Sequence, residues 1–434
     1  MTASKAKVLI VGAGIAGLSA AYDLTRAGYD VTLWEAGDTP GGLASGFKAS
    51  HWQWPLEKFY HHLFQSDNDI IQLATEIGLG DDIIFRRPIT SVWKSGRSYP
   101  FDSPLRVLTF PHLSLVDKVR MGMVIAYLRF SRNWRRFEQV TAHEWLTRTM
   151  GKRAYETLWE PLLVGKFGEH YRDVNLAWFW ARIHKRSPAL GYFRGGFQRF
   201  VDVLAQRVVE QGGTLVTGRP VERIQPRGEG GFQVFSEGAS WEGDLVISTV
   251  SPHQFARMVP ELPPGYLEKV RGLRSMGAVV MTLALKQRMT ARDYWINLPK
   301  QEGFPFLAFV EHTNYMDREH YGGDYLVYLG DYLDPDHPYF AMSEQELLDT
   351  FLPVLPRFNP RFQEDWITGV WVHKARYAQP VVPVNYSQHI PDIRTPIRGL
   401  YFASMSQVYP WDRGTNYAVE IGRRVARLVE SDRK

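Results

Sequence analysis

The chain has 434 residues, of which 44% are hydrophobic and 22% are charged, so it has the composition of a globular protein of two or three domains. It contains no cysteine, which excludes disulfides, zinc ribbons, iron–sulfur clusters and thiol nucleophiles, and any redox chemistry must come from a cofactor. The formal net charge of +5, from 51 basic and 46 acidic residues, is too small to indicate a nucleic-acid partner.

Residues 1–7 lack the layout of a secretory signal, and no run of about 18 apolar residues indicates a membrane-spanning helix. We therefore expect a cytoplasmic protein. The 13 histidines are scattered without the spacing of metal ligands, so we predict no metal site.

The first predicted unit is a strand, a glycine-rich turn, a helix and a second strand. Lys7–Val11 is almost wholly apolar, which is typical of a parallel strand that is buried on both faces. A helix rich in alanine and leucine is predicted over residues 18–27, and a second strand over 29–34. This order is that of a βαβ unit.

The turn of this unit has glycine at each position where binding of a dinucleotide requires one. Gly12 permits the tight turn, Gly14 lets the backbone approach a pyrophosphate, and Gly17 lets the helix pack on the strand. Glu35, about 20 residues further on, can accept hydrogen bonds from the ribose and would repel the 2′-phosphate of NADP. The predicted contacts are Gly12, Gly14, Ile15, Ala16, Gly17, Glu35 and Ala36.

A second glycine-rich turn, with Gly41 and Gly42, follows Glu35 closely. This pair of turns resembles the double signature of the FAD-dependent superfamily of flavin amine oxidases, protoporphyrinogen oxidases, phytoene desaturases and UDP-galactopyranose mutases. Members usually have an arginine after the glycine pair, where this chain has Leu43. The resemblance implies FAD as the cofactor, with contacts from Gly41, Gly42, Leu43 and Ala44.

Later segments continue the resemblance in the superfamily's order. After Gly195-Gly196 and a helix, Val221 corresponds to a valine whose backbone meets the adenine. Thr249 ends a strand that lies beside the cofactor in the superfamily.

The C-terminal segment departs from the superfamily at one position. Members have Gly-Asp at the end of the last strand, and the aspartate contacts FAD, whereas this chain has Ser404-Met405. The acid contact is therefore missing or is supplied by Asp412. The resemblance further implies that the last helix directs its N-terminus, with Gly414, Thr415 and Asn416, at the flavin N1–O2 edge, where it stabilises negative charge.

These segments predict an α/β fold: a Rossmann-like FAD-binding domain with an inserted α+β substrate domain. The FAD-binding domain is expected to be discontinuous, over residues 1–64, 190–262 and 386–434. A mostly helical insertion over 65–189 and a sheet-containing insertion over 263–385 form the substrate domain.

The candidate catalytic residues lie in two segments. Tyr60 and His61, next to His62, stand where the superfamily's chain passes the isoalloxazine ring. A histidine here could transfer a proton or hold a phosphate, and the alternative is aromatic packing around a satisfied core histidine. Arg376 and Tyr377 could meet an acidic or aromatic substrate.

Two lysines are further candidates. Lys166 lies in a segment similar to one that lines the substrate cavity of protoporphyrinogen and amine oxidases, and it is either a charged anchor or a solvated surface side chain. Lys374 is a candidate for the flavin-facing lysine of amine oxidases.

Residues 106–136 are both basic and apolar, with seven arginines and lysines against Asp117 alone. We favour helices that pack in the core and extend their arginines outward. The alternative is peripheral contact with the inner face of a membrane, which would suit an apolar isoprenoid or tetrapyrrole substrate.

The function predicted from these segments is hydride transfer from a C–H or C–N bond of a small-molecule substrate, apolar or aromatic, to flavin N5, by an oxidase, dehydrogenase or desaturase. One alternative is a non-redox enzyme of the UDP-galactopyranose mutase type, in which Lys166, Arg194 and Arg376 hold a pyrophosphate. The other is an escort-type binding protein on the same fold, although the intact glycine turn favours a bound dinucleotide. The sequence does not indicate an oligomeric state.

Overall fold

A five-stranded parallel sheet forms the centre of the first domain. The computed structural model describes residues 5–228 and 230–433. In spatial order the strands are Thr214–Val216, Asp30–Trp34, Lys7–Val11, Leu245–Ser248 and Leu400–Phe402. All neighbouring pairs are parallel, and the apolar residues of the central strand are buried on both faces. Strands from all three segments assigned to the FAD-binding domain thus join one sheet, while its boundaries stay a prediction.

Helices cover this sheet. Those that frame the site are Ile15–Arg26, Asn68–Glu76, Gly196–Glu210 and Thr415–Asp432. The first and last of these pack backbone against backbone, because a Cβ atom on Gly422 would lie 2.3 Å from the carbonyl oxygen of Ala16. A three-stranded antiparallel sheet of Val221–Pro226, Phe232–Ser236 and Ala239–Gly243 lies beside the domain.

A seven-stranded sheet forms the second domain. Its strands are, in spatial order, Ile367–Pro380, Ser275–Leu285, Tyr325–Leu333, Ala308–Glu311, Asp293–Asn297, Ile89–Lys94 and Arg97–Pro100. The last two come from the insertion that was expected to be mostly helical. They form a hairpin closed by Ser95 and Gly96, both of which have positive φ angles. The two insertions therefore share one sheet.

Further helices and short strands complete the two domains. The helices are Pro104–Leu108, Leu115–Phe130, Ala142–Met150, Lys152–Ala154, Glu160–Phe167, Leu176–Lys185, Pro252–Met258, Pro264–Arg271, Glu344–Phe351 and Tyr386–His389. The short strands are Gly46–Phe47 with Leu56–Glu57, and Leu63–Phe64 with Leu190–Phe193 and Ile83–Arg86. Within residues 5–228 and 230–433, no helix is both long and apolar enough to cross a membrane.

The helix Leu115–Phe130 lies on the surface, so the favoured core interpretation is wrong for most of it. Only Met121 and Leu128 are buried, whereas Val116 is 75% and Phe130 is 82% exposed. Apolar residues occur on every side of this helix, and its sequence therefore has no clear polar face from which the buried side could be recognised.

Candidate cofactor and substrate site

The predicted cofactor residues gather at one edge of the parallel sheet. Gly12, Glu35 and Thr249 directly follow three neighbouring strands, and Met405 lies three residues after the fourth. These are the carboxyl ends of the strands, where open α/β sheets bind their ligands.

Two glycines of the first turn are required by the protein's own packing. Gly12 has a φ of +98°, and a Cβ atom there would lie 2.8 Å from the hydroxyl oxygen of Thr249. A Cβ atom on Gly17 would lie 2.0 Å from the carbonyl oxygen of Gly12. The Thr249 hydroxyl donates to the carbonyls of Val11 and Gly12 at 3.0 and 3.2 Å, so it fixes this turn.

Gly14 and Gly42, by contrast, leave a surface of bare backbone. A Cβ atom on Gly14 would meet nothing closer than the Cα atom of Gly42, at 3.9 Å. Gly14 caps the helix Ile15–Arg26 without a side chain, and the first turn contains no acid. The free N–H groups at this helix start therefore fit a pyrophosphate. We call this surface the glycine cradle.

Glu35 is held beside the glycine cradle. Its Oε2 accepts a hydrogen bond from the Ala13 N–H at 2.7 Å, and its Oε1 accepts one from the Gly37 N–H at 2.9 Å. A carboxylate has about four acceptor positions, so positions remain for ribose hydroxyls. The other predicted contacts of this region are placed as follows: Ile15, Ala44 and Val221 are buried, Ala16 and Leu43 are half-buried, and Ala36 is exposed.

The start of the last helix is fixed by the side chain of Asn416. Gly414 caps this helix without a side chain, and Thr415 and Asn416 are buried. The Asn416 amide accepts from the Ile70 N–H at 3.1 Å and donates to Asp69 at 3.2 Å, so its side chain holds the neighbouring helix. The helix N-terminus itself still presents backbone N–H groups.

Asp412 does not offer a free carboxylate in place of the superfamily's aspartate. Its Oδ1 accepts from Trp178 Nε1 at 2.9 Å, and its Oδ2 accepts from Arg182 at 2.7 Å. Met405 lines a small cavity with Trp178, Gln379, Tyr409, Trp411 and Asp412. Burial would raise the pKa of Asp412, but Arg182, Arg413 and Lys166 outweigh it and hold this pKa at about 2.

Tyr60 and His61 lie against the seven-stranded sheet. The Tyr60 ring contacts Trp295 edge-on, with ring centres 4.8 Å apart, and fills the space above Gly330. His61 Nδ1 lies 2.5 Å from the carbonyl oxygen of Phe59, and burial lowers the pKa of His61 to about 4. This histidine is therefore neutral near pH 7.

The neighbouring His62 lies among cations. Burial lowers its pKa to about 3, and Arg186, Arg182 and Lys166 contribute to this shift. Its Nδ1 atom is buried and has no hydrogen-bond partner within the described parts of the chain.

Arg376 and Tyr377 lie on the strand Ile367–Pro380. The exposed Arg376 donates to the carbonyl of Pro335, and the Tyr377 hydroxyl lies 2.8 Å from that of Ser406. Lys374 is exposed and donates to the carbonyl of Met342. Lys166 is buried, so its interpretation as a solvated surface side chain is wrong.

Arg182 and Arg413, which the sequence analysis did not select, meet Lys166 and Asp412 beside Tyr332. One signal in the sequence was available. Arg413 stands immediately before Gly414, the cap of the last helix, and a cation at a helix N-terminus is unfavourable unless an anion is bound there. Among the described residues, no group of three or more His, Asp or Glu side chains could hold a metal ion.

The glycine cradle lies at the carboxyl edge of a parallel sheet. This arrangement is typical of dinucleotide-binding proteins. The model of the flavin-containing amine oxidoreductase family matches residues 15–430. The chain belongs to this family, whose cofactor is a flavin, typically FAD. The resemblance inferred from the glycine turns is thereby confirmed.

Individual relatives are distant. AofH, a candidate flavin-containing monoamine oxidase of Mycobacterium tuberculosis, is 26% identical over 289 residues, and the match spans 60% of this chain and 60% of AofH, less than two thirds of that relative. The flavin-containing amine oxidase B of Sus scrofa is 22% identical over 98% of this chain and 86% of that protein. A candidate protoporphyrinogen oxidase of Exiguobacterium sp. 255-15 has the same fold, with a TM-score of 0.79 and 18% identity over 99% of both chains. The predicted fold class is confirmed.

Proposed function

We propose that the protein is an FAD-dependent oxidoreductase that takes hydride from a C–H or C–N bond of a small organic substrate. The observation that carries this proposal is the glycine cradle, in which Gly14 and Gly42 leave backbone bare beside an uncapped helix start. Family membership supports it and does not favour the mutase alternative. Arg376, which that alternative needs, is exposed and bound to a carbonyl.

FAD, when bound, supplies the hydride acceptor. The chain would bind and orient it: N–H groups at the start of the helix Ile15–Arg26 would hold the pyrophosphate, and Glu35 would hold the ribose. The N-terminus of the helix Thr415–Asp432 would favour negative charge on a group bound beside it. Packed aromatic side chains such as Tyr60 and Trp295 would exclude water from a substrate bound beside them.

The purified protein is expected to be yellow, with an absorption band at about 450 nm. This band should bleach under anaerobic conditions when a suitable hydride donor is added. Heat-released cofactor, separated by chromatography, should be FAD and not FMN. A colourless protein that takes up no added FAD would contradict the proposal. A yellow protein that reacts with no donor and needs prior reduction for turnover would favour the mutase alternative.

A second proposal concerns the surface helix. Leu115, Val119, Met123 and Phe130 are exposed and recur at a spacing that places them along one side of the helix. Leu105 and Leu108 on the preceding short helix are exposed as well. Exposed apolar groups of this extent indicate a binding surface.

The charge next to this apolar surface favours an anionic membrane as its partner. Arg132, Arg135 and Arg136 at the end of the helix are exposed, and Asp117 is the one acid in residues 106–136. We propose that this face lies on anionic phospholipid, inserting its apolar side chains while the arginines meet the headgroups. An apolar substrate dissolved in the bilayer would then reach the enzyme directly.

The double variant Met123→Ser/Phe130→Ser is expected to lower binding to phosphatidylserine-containing vesicles at least about tenfold, because two inserted apolar side chains are lost. Cosedimentation measures this, with phosphatidylcholine vesicles as the uncharged comparison. Val209→Ser, at a 52% exposed valine on another helix, is the matched control and should bind as the wild type does. Equal binding of all three proteins would refute the proposal, and concentration-dependent dimers that the double variant abolishes would assign the face to a second copy.

A further inference from the structure

Three cations surround one carboxylate where the two domains meet. Lys166 comes from the helix Glu160–Phe167, Arg182 from the helix Leu176–Lys185, and Arg413 from the loop before the last helix. Asp412 is the acid between them, and Arg182 occupies its Oδ2 at 2.7 Å. Its Oδ1 is taken by Trp178, Gln379 and the backbone N–H of Arg413.

Arg182 is therefore neutralised, and Lys166 and Arg413 are not. Both lie against the ring of Tyr332, with Lys166 Nζ at 4.4 Å and the guanidinium carbon of Arg413 at 4.8 Å from the ring centre. Arg413 donates through Nε to Gln379 at 2.9 Å and through one Nη to the Tyr332 hydroxyl, which are both neutral groups. Its other Nη atom and Lys166 Nζ have no hydrogen-bond acceptor among residues 5–228 and 230–433.

An uncompensated cation is costly at this position. Lys166 is 6% exposed, so a charge on it costs more than a surface charge does, and without a bound anion the side chain tends to lose its proton. The N-terminus of the helix Thr415–Asp432 adds positive potential beside Arg413. Two cationic donors that contact the same tyrosine ring, and for which no carboxylate acceptor is found among residues 5–228 and 230–433, favour an anion that completes the group.

We propose that Lys166 and Arg413 bind the carboxylate of the substrate, so that the substrate class is an anionic small molecule and not a cationic amine. This proposal rests on the proposed oxidoreductase function, since the cations lie beside the cofactor edge of the sheet. The aromatic rings of Trp178, Trp411 and Tyr332 nearby favour an aromatic or apolar body for the acid.

Because Lys166 can gain or lose a proton, the affinity of this site for a carboxylate should depend on pH. Burial, together with Arg182 and Arg413, lowers the pKa of Lys166 well below its ordinary value. The groups that face it are Arg182, Arg413, Asp412, Tyr332 and His62. A bound carboxylate requires the charged ammonium, so binding takes up a proton, and affinity should fall about tenfold per pH unit above the pKa of Lys166.

Calorimetric titration of the purified holoenzyme with benzoate tests the proposal, with benzylamine and inorganic phosphate as comparison ligands. We expect the wild type to bind benzoate in preference to both. Lys166→Met should bind benzoate at least about tenfold more weakly and lose the pH dependence that the wild type shows. Lys166→Arg should recover much of the affinity, and Lys152→Met, which removes an exposed lysine paired with Glu156, should change nothing.

Several outcomes would overturn the proposal. One is that Lys166→Met binds benzoate as tightly as the wild type does. The others are that the wild type binds benzylamine, or phosphate, more tightly than it binds benzoate. Absence of carboxylate binding combined with a lower flavin reduction potential in Lys166→Met would show that the two cations serve the reduced flavin instead. Failure of the proposed function is a separate result, because the preparation would then contain no FAD. Calorimetry of that preparation would still measure whether benzoate binds. Thermal unfolding of Lys166→Met, expected at or above the wild-type temperature, confirms that the variant is folded.

Discussion

Gly14→Ala is expected to leave the protein folded while weakening FAD binding at least about tenfold. Gly14 has φ and ψ angles of −67° and 173°, which any residue adopts, and the added methyl group would meet no protein atom closer than 3.9 Å. The methyl group would nevertheless stand in the glycine cradle, where the pyrophosphate must touch backbone. FAD titration of the apoprotein and its thermal unfolding separate the two effects.

Gly17→Ala provides the contrast for this prediction. Its methyl group would lie 2.0 Å from the carbonyl oxygen of Gly12, so the helix must move off the strand and the apoprotein itself should lose stability. Gly265→Ala, on a remote helix with nothing within 4 Å, is the control and should match the wild type in both measurements. If Gly14→Ala bound FAD as tightly as the wild type, the glycine cradle would not be the pyrophosphate site.

Asp412→Asn should lower the free energy of unfolding by an amount on the order of 3 kcal/mol. The asparagine keeps the shape and can still accept from Trp178, but it leaves the half-buried Arg182 without its carboxylate partner. The side chain of Asp412 is only 16% exposed, so water compensates little of the loss. Urea unfolding at neutral pH measures the difference.

The control for this prediction is Glu156→Gln, because Glu156 pairs with Lys152 on the exposed surface and its loss should change stability little. The acid side of the pH profile is a second check. Asp412 has a pKa of about 2 against its ordinary 3.8, so its charge stabilises the fold above the ordinary value, and this stabilisation is lost as the pH falls through about 2. Equal unfolding free energies for both variants would refute the assigned role.

The meeting of the glycine turn with Glu35 at one edge of the sheet could be predicted from the sequence because its signals are local. Gly12, Gly14 and Gly17 lie within six residues, and Glu35 directly follows the next strand, so spacing along the chain reports spacing in the fold. The cluster of Lys166, Arg182, Asp412 and Arg413 could not be predicted in this way. Arg182 and Asp412 lie 230 positions apart, and their ion pair depends on how two domains meet.

Two errors in the second domain have local causes. The hairpin of Ile89–Lys94 and Arg97–Pro100 was missed although Ser95-Gly96 is a turn signal, because helical segments follow it closely. The surface helix Leu115–Phe130 was assigned to the core because abundant apolar residues favour burial, whereas an exposed apolar surface and a buried one have the same composition in a sequence.

The shared seven-stranded sheet has a consequence for biosynthesis. Asp293–Asn297 pairs in parallel with Ile89–Lys94, so the hairpin emerges from the ribosome some 200 residues ahead of its neighbour. At translation rates of about 5–20 residues per second, that edge waits for ten seconds or more without a partner. The sheet can therefore be completed only after both insertions have been synthesised, and the two halves of the second domain fold together and not one after the other.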